Sequence, residues 1–215
     1  GIGRIIGHIL GDGSIDKEYQ QVFFSNSNKE LLNEFSKLIK EIFRIKPRIW
    51  MQKTPDFGNT KWDKKLNSIN ELIDGRNCGL FYPSACGYIL NNIFNNFAIG
   101  KNKKITKHIL TSNKEFKSGL IRSFYDDEGS VGVDNIRLFQ DKKEILNSFR
   151  KILMEFDIKP NKIKMYLKRN KERYYFGIHR KSNFIKFRDN IGFTSTKKMN
   201  NLREISIIKN YKNSR

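Results

Sequence analysis

Apolar residues recur at helical spacing in two well-separated stretches of the chain. The first holds Leu31, Leu32, Phe35, Leu38, Ile39 and Ile42; the second holds Ile145, Leu146, Phe149, Ile152, Leu153 and Phe156. Each predicts an amphipathic helix with one buried face. Each is preceded by a β-rich run, Gln21 to Phe24 and Ile136 to Phe139. Between run and helix stand Ser27-x-x-Glu30 and Asp141-x-x-Glu144, which predict a capping box and its Asp variant. A further strand is expected near Arg48 to Gln52. In "KIKMYLKRNKERYYFGIHR" a hairpin is expected to turn near Asn170. Strict alternation there puts Lys162, Lys164, Tyr166 and Lys168 on one face and Ile163, Met165 and Leu167 on the other. The expected product is a sheet with an apolar underside and a basic top.

Two other stretches are apolar and end on an acid beside glycine: "IIGHILGDGSI" from Ile5 and "LIRSFYDDEGSV" from Leu120. Laid over each other, Gly13 falls on Gly129, Asp12 on Glu128 and Ser14 on Ser130. Downstream, Glu30 falls on Glu144, Leu32 on Leu146, Phe35 on Phe149 and Asn26 on Gln140. "NNFAIGKNKKITKHIL" resembles "RDNIGFTSTKKMNNL", with Lys103-Lys104 on Lys197-Lys198. Three matched blocks in one order describe an internal repeat. The first copy carries extra sequence around Pro55 to Gly75. Each unit reads helix, strands, helix, strands, helix. The expected fold is α+β with internal pseudo-twofold symmetry, in halves 1–112 and 113–215.

The carbonyl end of a helix carries partial negative charge, so a carboxylate there is disfavoured unless a cation joins it. If the two acidic helices pack side by side, Asp12, Glu128 and nearby carbonyl oxygens form a hard, oxygen-only site suited to Mg²⁺. Gly3, Gly7 and Gly11 recur every fourth residue and leave one face of the first helix bare, which permits close backbone approach.

Composition adds the partner. With 42 Lys and Arg against 22 Asp and Glu, the formal net charge is +20. Such a charge repels itself in a compact state, and an anionic polymer relieves it; nucleic acid is the expected partner. Cys78 and Cys86 fit no zinc spacing and are expected to be reduced thiols. His8, His108 and His179 lie far apart, against a histidine metal cluster or a Ser-His-Asp triad. No signal peptide or membrane span is visible. A cytoplasmic (nucleoid-associated) or organellar protein is expected, not a secreted one. The start at Gly1, without Met, reads as processed, trimmed or excised.

"IIGHILGDG" and "IRSFYDDEG" resemble the two motifs of a monomeric LAGLIDADG homing endonuclease of the archaeal-intron or intein type, and the resemblance spans essentially the whole chain. It implies two αββαββα halves with the motif helices at their interface. It also implies antiparallel sheets forming a saddle on double-stranded DNA, and a metal-dependent double-strand break in a long, nearly palindromic site that leaves short 3′ overhangs. Carried onto this sequence, it implies Mg²⁺ (or Mn²⁺) on Asp12 and Glu128, with Gly11 and Asp127 as further metal-site candidates. Asn26 and Gln140 are candidates for ordering water, and Lys103 or Lys104 and Lys197 or Lys198 for stabilising charge. Base reading is expected from the strands, through Gln21, Arg48, Arg137, Lys162, Lys164, Tyr166, Lys168 and His179. Trp50 and Trp62 are expected to pack rather than to stack on bases. The second motif departs from the pattern at Ser123 and at Asp127, where helices touch; Asp126 and Asp127 are expected to be solvated or locally hydrogen-bonded. The chain lacks the Cys or Ser start and terminal His-Asn of an intein, but fits a nuclease domain cut from one. Two alternatives stand beside the nuclease: an RNA-splicing maturase that binds intron RNA, and a DNA-binding regulator with an inactive centre.

Overall fold

The computed structural model describes residues 1–52 and 62–207. The first half runs α1 (Ile2–Leu10), β1 (Gly13–Ile15), β2 (Val22–Asn26), α2 (Lys29–Phe43), β3 (Arg48–Gln52), β4 (Trp62–Leu66), a single 3₁₀ turn (Ile69–Glu71), β5 (Cys78–Tyr82), α3 (Ser84–Ile93), β6 (Ala98–Ile99), β7 (Asn102–Lys103) and α4 (Lys107–Leu110). The second runs α5 (Lys114–Glu128), β8 (Gly129–Val131), β9 (Ile136–Gln140), α6 (Lys143–Glu155), β10 (Lys164–Lys168), β11 (Lys171–Ile178), α7 (Lys181–Asn190) and α8 (Thr196–Ile207). Part of the extra sequence at Pro55 to Gly75 lies outside the described residues.

The repeat is visible in the sheets. The second half has the strand order β10-β11-β9-β8, and the first contains the equivalent order β3-β5-β2-β1. To this the first half adds β4 at one edge and the β6–β7 hairpin at the other. Pairing is antiparallel throughout, except where β6 joins β1 in parallel at Ile15 and Ile99. In each half one sheet face packs on helices. Phe24 of β2 meets Phe35 of α2 at 4.6 Å between ring centroids. On the other side Phe124 of α5 stacks on Phe149 of α6 at 4.2 Å. Among the described residues, no helix is long and apolar enough to cross a membrane.

Three local expectations are corrected. The cap of α2 is Asn28, whose side chain accepts from the Glu30 amide at 2.8 Å, and not Ser27. Glu30 instead accepts from the Thr196 amide, 2.8 Å away in the other half. At α6 the cap position is Lys142, with no side-chain cap bond, because Asp141 is drawn across to Arg173 at 2.5 Å. The hairpin does turn at Arg169 and Asn170, both with positive φ (52° and 59°), as a tight two-residue connection requires. Its underside is not buried, however. Met165 is 54% and Leu167 67% exposed, because the hairpin tip overhangs the helices while only the inner end of β11 (Phe176 to Ile178) is covered.

Candidate metal centre and nucleic-acid interface

The two motif helices touch backbone to backbone. A Cβ added at Gly3 would lie 2.1 Å from the Phe116 carbonyl oxygen, and one at Gly7 2.5 Å from that of Leu120. A Cβ at Gly11 would meet Asp127 Oδ2 at 2.5 Å. The bare face of α1 is therefore the contact face, and Ser123 of α5 fits against Gly7.

This contact brings the two helix ends together, and with them Asp12 and Glu128. Asp12 is accessible to solvent yet crowded: burial, then Asp127, then Glu128 push its carboxyl up to about 7. Glu128 is raised as well, by burial first and by Asp127 and Asp141. Asn26 at the end of β2 accepts the Asn28 amide through Oδ1 at 2.9 Å. That orients its Nδ2, which donates to Asp12 Oδ2 at 2.9 Å. Lys103 of β7 donates from Nζ to the Gly11 carbonyl, in the field of Asp12, Asp127 and Glu128. Burial lowers its pKa while those three acids oppose the shift. Lys142 of the second half holds the hairpin that carries Lys103, donating to the carbonyls of Lys101 and Lys103 at 3.3 Å each.

Carboxylates that resist ionising because they crowd one another are relieved by a shared cation. The donor set is hard oxygen, so these residues fit Mg²⁺ or Mn²⁺. Among the described residues no three His, Cys, Asp or Glu side chains gather in ligand geometry. Asp12 and Glu128 would hold the ion with main-chain oxygen and water.

Other candidates are placed differently from the sequence expectation. Asp127 is not solvated: its side chain is fully buried and accepts from His8 Nδ1 at 3.0 and 3.2 Å. Both of its oxygens face His8, and Oδ2 also lies 3.5 Å from the Asp12 amide. Asp126 is buried too, and holds the segment ahead of α8 by accepting from the Thr194 and Ser195 amides at 2.8 and 3.1 Å. Gln140 accepts the amide of its neighbour Asp141 at 2.7 Å, so Asn26 is the better placed of that pair. Lys197 is exposed, and Lys198 takes the inward place. Its Nζ donates to the carbonyls of Tyr125 (3.1 Å), Asp126 and Gly129 (2.7 Å), which ties off the negative end of α5.

Sequence reasoning missed a buried polar chain beside the site. His8, with 0% of its side chain exposed, lies between Asp127 and Glu34, whose Oε2 is 3.3 Å from Nε2. Glu34 also accepts from Arg4 at 2.6 Å and from the Thr194 hydroxyl at 2.6 Å. Burial works against the charge on His8, but Asp127 and Glu34 outweigh it and raise its pKa to about 10. Burial likewise opposes ionised Glu34, yet His8, Thr194 and Arg4 hold it down at about 2.

Residues 2–81 and 115–192 match the family model described as a LAGLIDADG-like domain, one match over each half. This chain belongs to the LAGLIDADG family. It is 29% identical over 205 residues to the Replication factor C small subunit of Methanocaldococcus jannaschii, covering 93% of this chain and 10% of that protein. It is 28% identical over 207 residues to the DNA-directed RNA polymerase subunit Rpo1C of the same organism, covering 94% of this chain and 20% of that protein. The chain thus spans only a tenth to a fifth of these curated relatives. Among solved structures, a variant of the homing endonuclease I-DmoI superposes with a TM-score of 0.60 at 16% identity, over 88% of this chain and 87% of that one. The N-terminal LAGLIDADG domain of DUF199/WhiA superposes with a TM-score of 0.53 at 14% identity, over 98% and 83%.

The sheets of this LAGLIDADG protein turn a basic face away from the helices. Arg137, Lys162, Lys164 and His179 line one hollow of about 140 Å³ with Asn161, Tyr175 and Gly177. Tyr166 and Lys168 continue that face along β10, and Lys168 is exposed. Arg48 is exposed at the start of β3, while Gln21 is half-buried just ahead of β2. Trp62 packs on Phe23 (5.5 Å) and Phe81 (6.0 Å), and Trp50 lies half-buried in β3.

Proposed function

We propose that this protein is a monomeric, site-specific DNA endonuclease that makes a Mg²⁺-dependent double-strand break, and that it serves a mobile genetic element. The observation that carries the reading is the meeting of Asp12 and Glu128 at the closely packed ends of α1 and α5, where burial, then Asp127, then Glu128 push the Asp12 carboxyl up to about 7. Asp12 and Glu128 hold the cation. Asn26 fixes the Asp12 carboxylate by its hydrogen bond, and Lys103 supplies a positive charge beside the phosphate. A bound divalent ion there supplies Lewis acidity toward the phosphate and lowers the pKa of water. The two halves in one chain give one acid to each side, so a single chain suffices to cut both strands. The basic sheet faces hold the duplex.

Two findings support the mobile-element part. The matching segment covers nearly all of this chain in a replication factor, a polymerase subunit and an aminotransferase, proteins that share no activity. A segment with that distribution travels independently of its host. Structures similar to this one include I-DmoI in complex with DNA and Ca and with DNA and Mn.

The test is substitution of the acids. Asp12→Asn and Glu128→Gln should each reduce cleavage at least about 100-fold, since each removes a metal ligand, while DNA affinity stays within a few-fold. Full cleavage by either variant would remove that acid from the mechanism. The second reading, a DNA-binding regulator, is favoured by Asp127, whose side chain stands against Gly11 where the helices touch. Specific binding with no cleavage in any divalent metal would select it.

A further inference from the structure

The outward faces of both sheets carry something a merely basic surface does not need. Strand alternation sends Val22 and Phe24 into the core and leaves Phe23 on the opposite face; likewise Ile136 and Leu138 go in and Phe139 faces out. Phe23 lies against Phe81 of β5 at 4.8 Å and Trp62 of β4 at 5.5 Å. Phe139 lies stacked on Tyr175 of β11 at 5.8 Å and edge-on to Tyr166 of β10 at 6.3 Å. All six rings are half-buried, and the core packs the other face of each sheet. In a chain of mean hydropathy −0.62, two separate three-ring platforms on solvent-facing strands offer an apolar surface that a partner can cover.

The surroundings name that partner's charge. Arg48 pairs in register with Phe81, Lys164 with Tyr175 and Arg173 with Tyr166. Each platform is an apolar island among cations, which fits a polyanion with apolar groups displayed on it. In duplex DNA the apolar group presented in the major groove is the 5-methyl of thymine. The rings already cover one another across the strands, so they offer edges and half-faces suited to methyl contact rather than a slot for an unstacked base.

Building on the proposed DNA binding, we infer that the two aromatic platforms are specificity elements, each reading thymine 5-methyl groups in one half of the target. The target therefore carries a thymine-containing run in each half-site, and part of the sequence discrimination is apolar.

The test uses the full chain as Asp12→Asn to select the tightest binders from a random-sequence duplex library. The selected duplex is then remade with uracil in place of each thymine in turn. Loss of one contacted methyl should weaken binding about fourfold. Sensitive positions should fall in two clusters, one per half. Phe139→Leu and Phe23→Leu should each abolish the uracil penalty in one cluster only. Uniform indifference to uracil, with a specific duplex in hand, would overturn this inference and leave the endonuclease reading standing. So would a uracil penalty unchanged in both Leu variants, or selection of single-stranded over duplex DNA. Failure to select any duplex would remove both readings together.

Discussion

At the scale of single residues, Asp127 and His8 form the least expected feature of the site. Both side chains are fully buried. Breaking a buried ion pair by removing one partner strands the other charge, at a cost of about 3–5 kcal/mol. Asp127→Asn should lower the urea midpoint accordingly, and cleavage should recover under conditions where the variant is folded. A large loss of cleavage with unchanged stability would instead return Asp127 to the metal site. The pair also sets a pH dependence. His8 is raised from 6.5 to about 10 on folding, so its contribution is complete below about 6.5 and is lost as pH rises through about 10. Glu34 is lowered from 4.5 to about 2, so its contribution is complete above about 4.5 and is lost as pH falls through about 2. Asp12, raised to about 7, also loses stability as pH rises, but finishes near neutrality. Urea midpoints should therefore keep falling between about pH 7 and 10 in the wild type, and this alkaline limb should flatten in Asp127→Asn. None of this was legible in the sequence. The two residues are 119 positions apart, and their pairing has no period. The choice between Lys197 and Lys198 was equally hidden, because only the roll of α8 decides which faces Tyr125 and Gly129.

At the scale of elements, the sequence was more informative. Glycines at every fourth position of α1 announced a helix that touches another backbone, and the acid at each helix end announced which side chains that contact brings together. Gly7→Ala would place a Cβ 2.5 Å from the Leu120 carbonyl oxygen, which is backbone and cannot give way. Overpacking of about 1–3 kcal/mol outweighs the roughly 1 kcal/mol that alanine adds to helix propensity. The helices must separate, and a 1 Å misplacement of the acids costs on the order of 100-fold in rate. Gly119→Ala, on the facing helix, would meet Arg4 Cγ at 3.1 Å and the Arg4 backbone nitrogen at 3.3 Å, contacts that ask for a shift of only a few tenths of an ångström, and should be the milder of the two. Equal effects of the two substitutions, in cleavage and thermal melting, would contradict the contact model. The capping boxes failed for a reason at this same scale. Glu30 and Asp141 had partners waiting in tertiary structure, Thr196 and Arg173, which local sequence does not reveal.

At the scale of the molecule, the net charge of +20 and the repeated half explain each other. Duplication supplies two sheets and two acids, and under the proposed function the charge would let both sheets hold one duplex. Affinity for DNA should fall about a thousandfold or more between roughly 50 and 200 mM salt if the grip is mainly on phosphates. A flat titration would contradict that. The repeat was legible because matched blocks survive in order. The strands β4, β6 and β7 were not, since no strand answers to them among the described residues of the second half, although the segment of β6 and β7 aligns with the one that carries Lys197 and Lys198. Each half brings one lysine to the carbonyl end of its motif helix, Lys103 from β7 at Gly11 and Lys198 from α8 at Gly129.

The most direct test of the central claim is cleavage of a randomised duplex library by wild-type protein with Mg²⁺, beside EDTA and beside Glu128→Gln, with the ends sequenced. A discrete double-strand break with short 3′ overhangs, seen only for wild type with Mg²⁺, is the predicted result. A sequence that is bound tightly but left intact in Mg²⁺ and Mn²⁺ would contradict it.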